Sequence, residues 1–513
     1  MKRQVLTLAI SAALALGASA ATKTVNVTLA PSDSAAVIAP EIYGQFTEHL
    51  GSCIYGGIWV GEDSPIPNTQ GYRNDVLQAI SDLKVPVMRW PGGCFADEYH
   101  WEDGIGPKEE RPRMINTNWG GTVEDNSFGT HEFLNLCEML GVEPYISGNV
   151  GSGSVRELNE WVEYMTAPDG PQARRRMANG RKEPWHLKYL GIGNETWGCG
   201  GNMLPEYYAD IYRQYATYCR NYPGNKLFKI ASGSNGSDTN WTDVLMKKAH
   251  RHMDGISVHQ YCVDNWNDKG QALEFNDDDY YWLMGKAYEM DGVLTDHSKV
   301  MDKYDPAKRV GLMVDEWGTW WNVEPGTNPG FLYQQNTLRD AMVAALTLNV
   351  FHNHADRVKM ANIAQFANVL QAMLLTKDDK MVLTPTYYVF KSYIPHQGAR
   401  HIPLTSDAPM LDVSKGRTVP EVSVTASEKD GVTTISLVNI LLADKQTVNI
   451  DLAGIDASKV TGEIITATDV HAYNDFDRAE QVTLAPFKDA KIKKGVLTVE
   501  MPAHSIVTLS LTK

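Results

Sequence analysis

Between residues 40 and 370 a short, apolar, β-branched run recurs eight times, at 42–48, 85–92, 143–150, 187–195, 227–233, 255–261, 310–317 and 358–366. Short continuous apolar runs of this kind fit strands buried on both faces of a parallel sheet. Helical patterns separate most of them, most clearly at 203–222, with Tyr and Ile at helical spacing, and at 332–351, rich in Ala and Leu. Such alternation predicts an α/β fold closed as a (β/α)8 TIM barrel. Past residue 385 the pattern turns to alternating runs at 422–425, 433–438, 447–452, 462–468, 496–501 and 505–512, which predict a C-terminal antiparallel β-sandwich or jelly roll. The segment 23–29 also alternates without a helix of its own, and is expected to add a strand to that second domain. The expected division is a leader at 1–20, a strand segment at 21–40, the barrel at 41–384 and the sandwich at 385–513. Asp277-Asp278-Asp279 reads as a solvated loop.

In a barrel of this kind the chemistry gathers at the carboxyl ends of the strands. Irregular inserts at 51–70, 95–126 and 263–280 follow the first, second and sixth runs and are expected to rise on that same face as walls of a pocket.

Composition changes this picture little. The chain has 513 residues, 43% hydrophobic and 21% charged, which is ordinary for two globular domains. Its formal charge of -15, with no basic run beyond Arg174-Arg175-Arg176, argues against a nucleic-acid partner. The start carries Lys2-Arg3, an apolar stretch at 5–16 and Ala18-Ser19-Ala20, the pattern of a cleavable signal peptide. On that pattern the protein is expected to be exported, periplasmic or secreted. No later segment reaches the roughly eighteen uninterrupted apolar residues of a membrane span. Six scattered cysteines read mostly as free, buried small residues.

Candidate chemistry sits at two strand ends. Glu195 closes Tyr-Leu-Gly-Ile-Gly-Asn-Glu, and Glu316 closes Val-Gly-Leu-Met-Val-Asp-Glu; a Trp-Gly pair follows each closely. A carboxylate after an apolar strand is costly to bury unless it is paired or put to use. Two carboxyl groups held at different pKa values suffice to cleave a glycosidic bond, one supplying a proton and one a nucleophile or base. Other polar residues recur at the strand ends: Glu48, Arg89, Asn194, His259 and Tyr261. An Arg or Tyr there can hold a carboxylate ionised, while Glu and Asn suit sugar hydroxyls.

These motifs resemble glycoside hydrolase family 51, the retaining α-L-arabinofuranosidases of the (β/α)8 clan A. The resemblance runs from about residue 42 to the end. It is carried by Phe46-Thr47-Glu48-His49, Arg89-Trp90-Pro91-Gly92-Gly93-Cys94-Phe95, the stretch from Trp101 to Pro107, Gly193-Asn194-Glu195-Thr196-Trp197-Gly198, Asp315-Glu316-Trp317-Gly318 and Met360-Ala361-Asn362-Ile363-Ala364-Gln365. It implies that Glu195 is the general acid/base and Glu316 the nucleophile, with carboxyl groups about 5 to 5.5 Å apart. It also implies that Glu48, Cys94, Asn194 and Gln365 bind furanose hydroxyls, that Arg89 and Tyr261 flank the nucleophile, and that Trp119 and Trp320 line the pocket. His259 is counted with these substrate-binding groups. Many relatives carry Asn where this chain has Cys94.

The implied activity is exo-acting release of terminal arabinofuranose from plant cell-wall arabinan, arabinoxylan or their oligosaccharides, with no cofactor and no metal. Family relatives are often homo-oligomers. An endoglucanase or β-xylosidase of the same clan, and a catalytically dead carbohydrate-binding barrel, remain as alternatives. Other motifs fail: Gly191-Ile192-Gly193 lacks the third glycine of a dinucleotide loop, Ser232 and Ser234 form no Gly-x-Ser-x-Gly elbow, and no HExxH helix supports the His-rich pairs near 250 and 352.

Overall fold

In the computed structural model, which describes residues 23–513, eight strands close into a parallel barrel. They are β1 (Gly44–Phe46), β2 (Val87–Trp90), β3 (Glu143–Gly148), β4 (Tyr189–Ile192), β5 (Phe228–Asn235), β6 (Gly255–Cys262), β7 (Gly311–Thr319) and β8 (Val358–Ala364). Each lies within or across one of the eight apolar runs. Val87, Tyr145, Tyr189, Ile230, Met313 and Met360, from six different strands, fill the barrel interior as one cluster. The proposed leader lies outside the described residues.

Local chemistry sets the helix ends. The helix expected from 332 begins six residues later as Leu338–Asn353, because the Thr337 side chain accepts from Arg339 N and Asp340 reciprocates at Thr337 N. Leu332 itself has φ +50°, outside the helical region. The three aspartates expected in a loop instead form the first turn of the helix Asp277–Asp302. The Asn276 side chain caps that turn at Asp279 N, and the positive end of the helix dipole favours the negative charges. Charge density alone had suggested solvent, whereas a capped helix start stabilises acidic residues.

The C-terminal strands form two packed sheets. One has five strands in the order Leu404–Ser406, Lys23–Leu29, Gln446–Asp451, Val496–Met501 and Ala490–Lys493. The other has six, centred on Val422–Lys429, Val432–Asn439 and Ser505–Thr512. Lys23–Leu29 runs parallel to Gln446–Asp451, while its other neighbour is antiparallel. Inward-facing Val25, Val27, Leu29, Val448, Ile450, Leu497 and Val499 pack in a core separate from that of the barrel.

Where the barrel meets the sandwich, His352 bonds Tyr43 Oη at 2.8 Å and Thr425 Oγ1 at 3.2 Å, and His396 bonds Ser427 and Ser436 hydroxyls at 2.7 and 2.9 Å. Burial holds both imidazoles neutral, His352 well below the ordinary value and His396 down to about 3. A depressed folded value means that the unfolded chain takes up the proton first as the pH falls below about 6.5. Stability carried by these histidines is therefore complete above that pH and is lost below it. Denaturant titrations at pH 7 and pH 5 should show His396→Gln losing about 2 kcal/mol less over that interval than the unsubstituted protein.

Candidate active site

One irregularity in β7 determines what reaches the barrel mouth. Between Met313 and Glu316 the strand advances three residues while β6 advances two, from Ser257 to His259. The same extra residue appears against β8, where Val314 to Trp317 spans Ala361 to Ile363. Regular pleating sends neighbouring side chains to opposite faces; a bulge re-aims one. Asp315 and Glu316 consequently both contact the barrel interior.

Arg89, 1% exposed at the end of β2, gathers these groups. Its Nη1 donates to Glu316 Oε1 at 2.8 Å and to the Asp315 carbonyl at 3.1 Å, Nη2 donates to Asn194 Oδ1 at 2.7 Å, and Nε donates to Ser147 Oγ at 3.1 Å. Burial acts to lower its pKa, but Asp315 and Glu316 outweigh that and push it higher still. The second Glu316 oxygen accepts from Tyr261 Oη at 2.9 Å. Glu316 is thus fixed from two sides by hydrogen-bond donors.

Glu195 lies just beyond β4 with φ +36°, a left-handed backbone that costs a non-glycine residue of order 1–3 kcal/mol. Its Oε1 is 2.7 Å from His259 Nδ1, which is itself 3.5 Å from Glu316 Oε2. His259 Nε2 meets Asp315 Oδ1 at 3.1 Å, and Asp315 Oδ2 accepts from Tyr145 Oη at 2.6 Å. Burial works against a charge on His259, but Glu316, Asp315 and Glu195 together raise its pKa to about 10. Burial raises the Glu195 pKa; the His259 hydrogen bond opposes this and the Glu316 charge adds to it. One oxygen of each glutamate and a His259 nitrogen fall within 4.8 Å of one another.

Glu48 extends the cluster. Its Oε1 accepts from Gly93 N, Phe95 N and Trp119 Nε1 at 3.0, 3.1 and 3.0 Å, and its Oε2 accepts from Gln365 Nε2 at 2.9 Å. Burial, then the Glu316 charge, raise its pKa to about 7. The paired glycines make this packing possible: a Cβ on Gly92 would meet Glu48 Cγ at 2.7 Å, and one on Gly93 would meet Glu316 Oε1 at 2.8 Å.

Above these groups is a pocket of about 440 Å³, lined by Glu48, Cys94, Trp119, Glu195, His259, Tyr261, Glu316, Trp320 and Gln365. The remaining two residues singled out in the sequence, Arg89 and Asn194, lie beneath it and hold its floor. Sequence reasoning missed Asp315, whose inward turn depends on the bulge, and Asp97, whose Oδ2 accepts from Asn194 Nδ2 at 3.5 Å. It also missed Trp266, set edge-on to Trp320 at 5.2 Å, and the disulfide between Cys94 and Cys199. Cys53, Cys137, Cys219 and Cys262 are free and buried.

Comparison with known proteins identifies this arrangement. Residues 79–273 match the α-L-arabinofuranosidase 1 domain, and residues 315–505 match the α-L-arabinofuranosidase C-terminal domain. An intracellular exo-α-L-arabinofuranosidase of Bacteroides ovatus is 61% identical over 96% of both chains. The chain belongs to glycoside hydrolase family 51. It is a glycoside hydrolase of the α-L-arabinofuranosidase family. The crystal structure of the family 51 arabinofuranosidase from Xanthomonas axonopodis pv. citri superposes with a TM-score of 0.94 at 49% identity, covering 96% of this chain and 100% of the other. An α-L-arabinofuranosidase from Thermotoga maritima, solved with arabinose, gives 0.83 at 30% identity, covering 95% and 99%.

The same comparison corrects the expectation of export. The Bacteroides relative matches 96% of this family 51 chain and is named as intracellular, so the periplasmic or secreted location and its signal peptide do not stand. A basic start followed by an apolar run reports hydrophobicity; whether an export machinery engages it is not fixed by that composition. Among the described residues no helix is long and apolar enough to cross a membrane.

Gly93→Ala should push the Glu316 carboxylate from its seat on Arg89. Steady-state kinetics on an aryl arabinofuranoside should show kcat/KM reduced about 100-fold, the scale of a misplacement near 1 Å, in a protein whose circular dichroism is unchanged.

Proposed function

We propose that this family 51 enzyme removes terminal arabinofuranosyl residues by double displacement, with Glu316 as nucleophile and Glu195 as acid and then base. The observation that carries this reading is the closeness of the two carboxylates, with oxygens within 4.8 Å, each held by different partners. Retaining glycosidases hold their carboxyl groups about 5 to 5.5 Å apart, whereas inverting enzymes need more room for a water. Arg89 and Tyr261 donate hydrogen bonds to the two Glu316 oxygens and fix the carboxylate in place. Burial raises the Glu195 pKa; the His259 hydrogen bond opposes this and the Glu316 charge adds to it.

In the first step Glu195 donates its proton to the leaving oxygen as Glu316 attacks the anomeric carbon, giving an arabinosyl ester. Esterification removes the Glu316 charge, and with it one cause of the raised Glu195 value. Glu195 can then take a proton from water, which attacks the ester and releases arabinose with retention. His259, held by Asp315, orients Glu195 in both steps. Glu48 and Gln365, which line the pocket, offer polar atoms for the sugar hydroxyls, while Asn194 holds Arg89 beneath them. Cys94 is in a disulfide, so its sulfur has no thiol proton to donate to a hydroxyl.

Trp119, Trp197, Trp266 and Trp320 wall the pocket, and a depression closed in this way suits a chain end or a side branch. Plant cell-wall arabinan, arabinoxylan and their oligosaccharides present such arabinose units. All pocket residues lie between Glu48 and Leu370, which supports reading 41–384 as the catalytic domain and 385–513, joined by 21–40, as its companion.

Glu316→Ala should reduce turnover at least about 10³-fold, and azide should restore release as the inverted arabinosyl azide. Ordinary turnover by that variant would overturn the assignment. For the acid role the sign is set by the raised Glu195 pKa: kcat/KM falls as pH rises through it. Glu195→Gln should flatten that limb and slow substrates with poor leaving groups far more than aryl ones, and an unchanged pH profile would exclude Glu195. Chromatography of products from linear arabinan and arabinoxylan should show free arabinose without shorter backbone fragments.

A further inference from the structure

The pocket rim contains a group that hydrolysis does not use. Cys94, half-buried after β2, and Cys199, exposed after β4, are joined across a sequence separation of 105 with Cα atoms 5.6 Å apart. Cys199 Sγ lies 3.7 Å from Glu195 Oε2, and Asn194 Nδ2 is 3.7 Å from the same sulfur. The two sulfurs and a Glu195 oxygen all fall within 4.8 Å of one another. The four remaining cysteines are buried elsewhere.

We propose that, once reduced, Cys94 and Cys199 join Glu195 as a binding site for a soft divalent cation such as Zn²⁺, which disables the enzyme by occupying its acid/base. The site exists in only one redox state, since a disulfide offers no thiolate. A small dithiol supplies two electrons and two protons: its own thiols close into a disulfide as the Cys94–Cys199 bond opens to two thiols. The cation displaces both thiol protons to solvent, together with the Glu195 proton if present. Two thiolates and a carboxylate then hold three corners of a tetrahedron, with a water at the fourth. Zn–S bonds of about 2.3 Å would set the sulfurs about 3.8 Å apart, so the two must part from bonding distance once reduced. Soft thiolates select Zn²⁺ or Cd²⁺ over Mg²⁺ or Ca²⁺.

A second set, Glu195, His259 and Glu316, is equally compact. It is less suited, because both His259 nitrogens face carboxylates and Arg89 holds Glu316. Binding there would not depend on reduction, and this distinguishes the two sets.

The test uses the whole protein, either oxidised or reduced with a dithiol and desalted without oxygen. Titration with Co²⁺ should produce a thiolate-to-cobalt absorption band that saturates at one equivalent in the reduced protein, is absent from the oxidised one, and is lost in reduced Cys199→Ser. Zn²⁺ should inhibit aryl arabinofuranoside hydrolysis at concentrations at least about tenfold lower for the reduced form, with reversal by a chelator. Inhibition rests on the acid/base reading of Glu195, whereas the cobalt band does not; turnover of Glu195→Ala reports on that reading alone. Equal Zn²⁺ sensitivity of the two forms, a reduced protein without the band, or a band without inhibition would each overturn the proposal. The oxidised and reduced forms share one sequence, so the comparison survives if a cysteine variant fails to fold.

Discussion

The active site depends on one buried cation. Arg89 is fully enclosed, and an enclosed guanidinium is tolerable only if nearly every N–H finds an acceptor and an opposite charge lies close. Its acceptors come from three other parts of the chain: Glu316 and Asp315 on β7, Asn194 after β4, and Ser147 on β3. Satisfying one side chain therefore draws the ends of β2, β3, β4 and β7 to a common point. The Phe46 ring on β1 packs against the guanidinium with its centroid 4.4 Å from Cζ, which brings in a fifth strand. Removing Arg89 would take from the buried Glu316 and Asp315 one of the two cations that face them, leaving His259.

Around that cation the carboxyl groups are set apart by their partners. Glu316 has Arg89 and Tyr261 as donors. Asp315 is buried as well, but Arg89, His259 and Tyr145 outweigh burial and hold its pKa below the usual range. Glu195 and Glu48 are desolvated and face the Glu316 charge, so both rise. This difference in partners over a few ångströms is what the proposed division of roles between Glu316 and Glu195 rests on. The closeness is permitted by the bare backbone at Gly92 and Gly93, and at Glu195 it is accompanied by a left-handed φ.

Much of this was legible in the chain. Eight apolar runs alternating with helical patterns specify a closed parallel sheet, because each run is too apolar to face water on either side. Strand-end positions of Glu48, Arg89, Glu195, His259, Tyr261 and Glu316 follow from where those runs stop. Asp315 was not legible: period-two alternation puts it opposite Glu316, and only the extra residue in β7 turns it inward. Nor was the helix start at Asp277, since a run of like charges reads as solvent until the Asn276 cap is seen.

The sequence by itself determined the barrel, the second β domain, the two glutamates and the family to which they belong. These rest on periodicity and local motifs, which are properties of adjacent residues. Tertiary structure decided which strand ends meet, that Cys94 and Cys199 pair beside the pocket, and that His259 bridges Glu195 to Asp315. Those are distances between residues far apart in the chain, and they come from closing the barrel around a buried charge that no local pattern encodes.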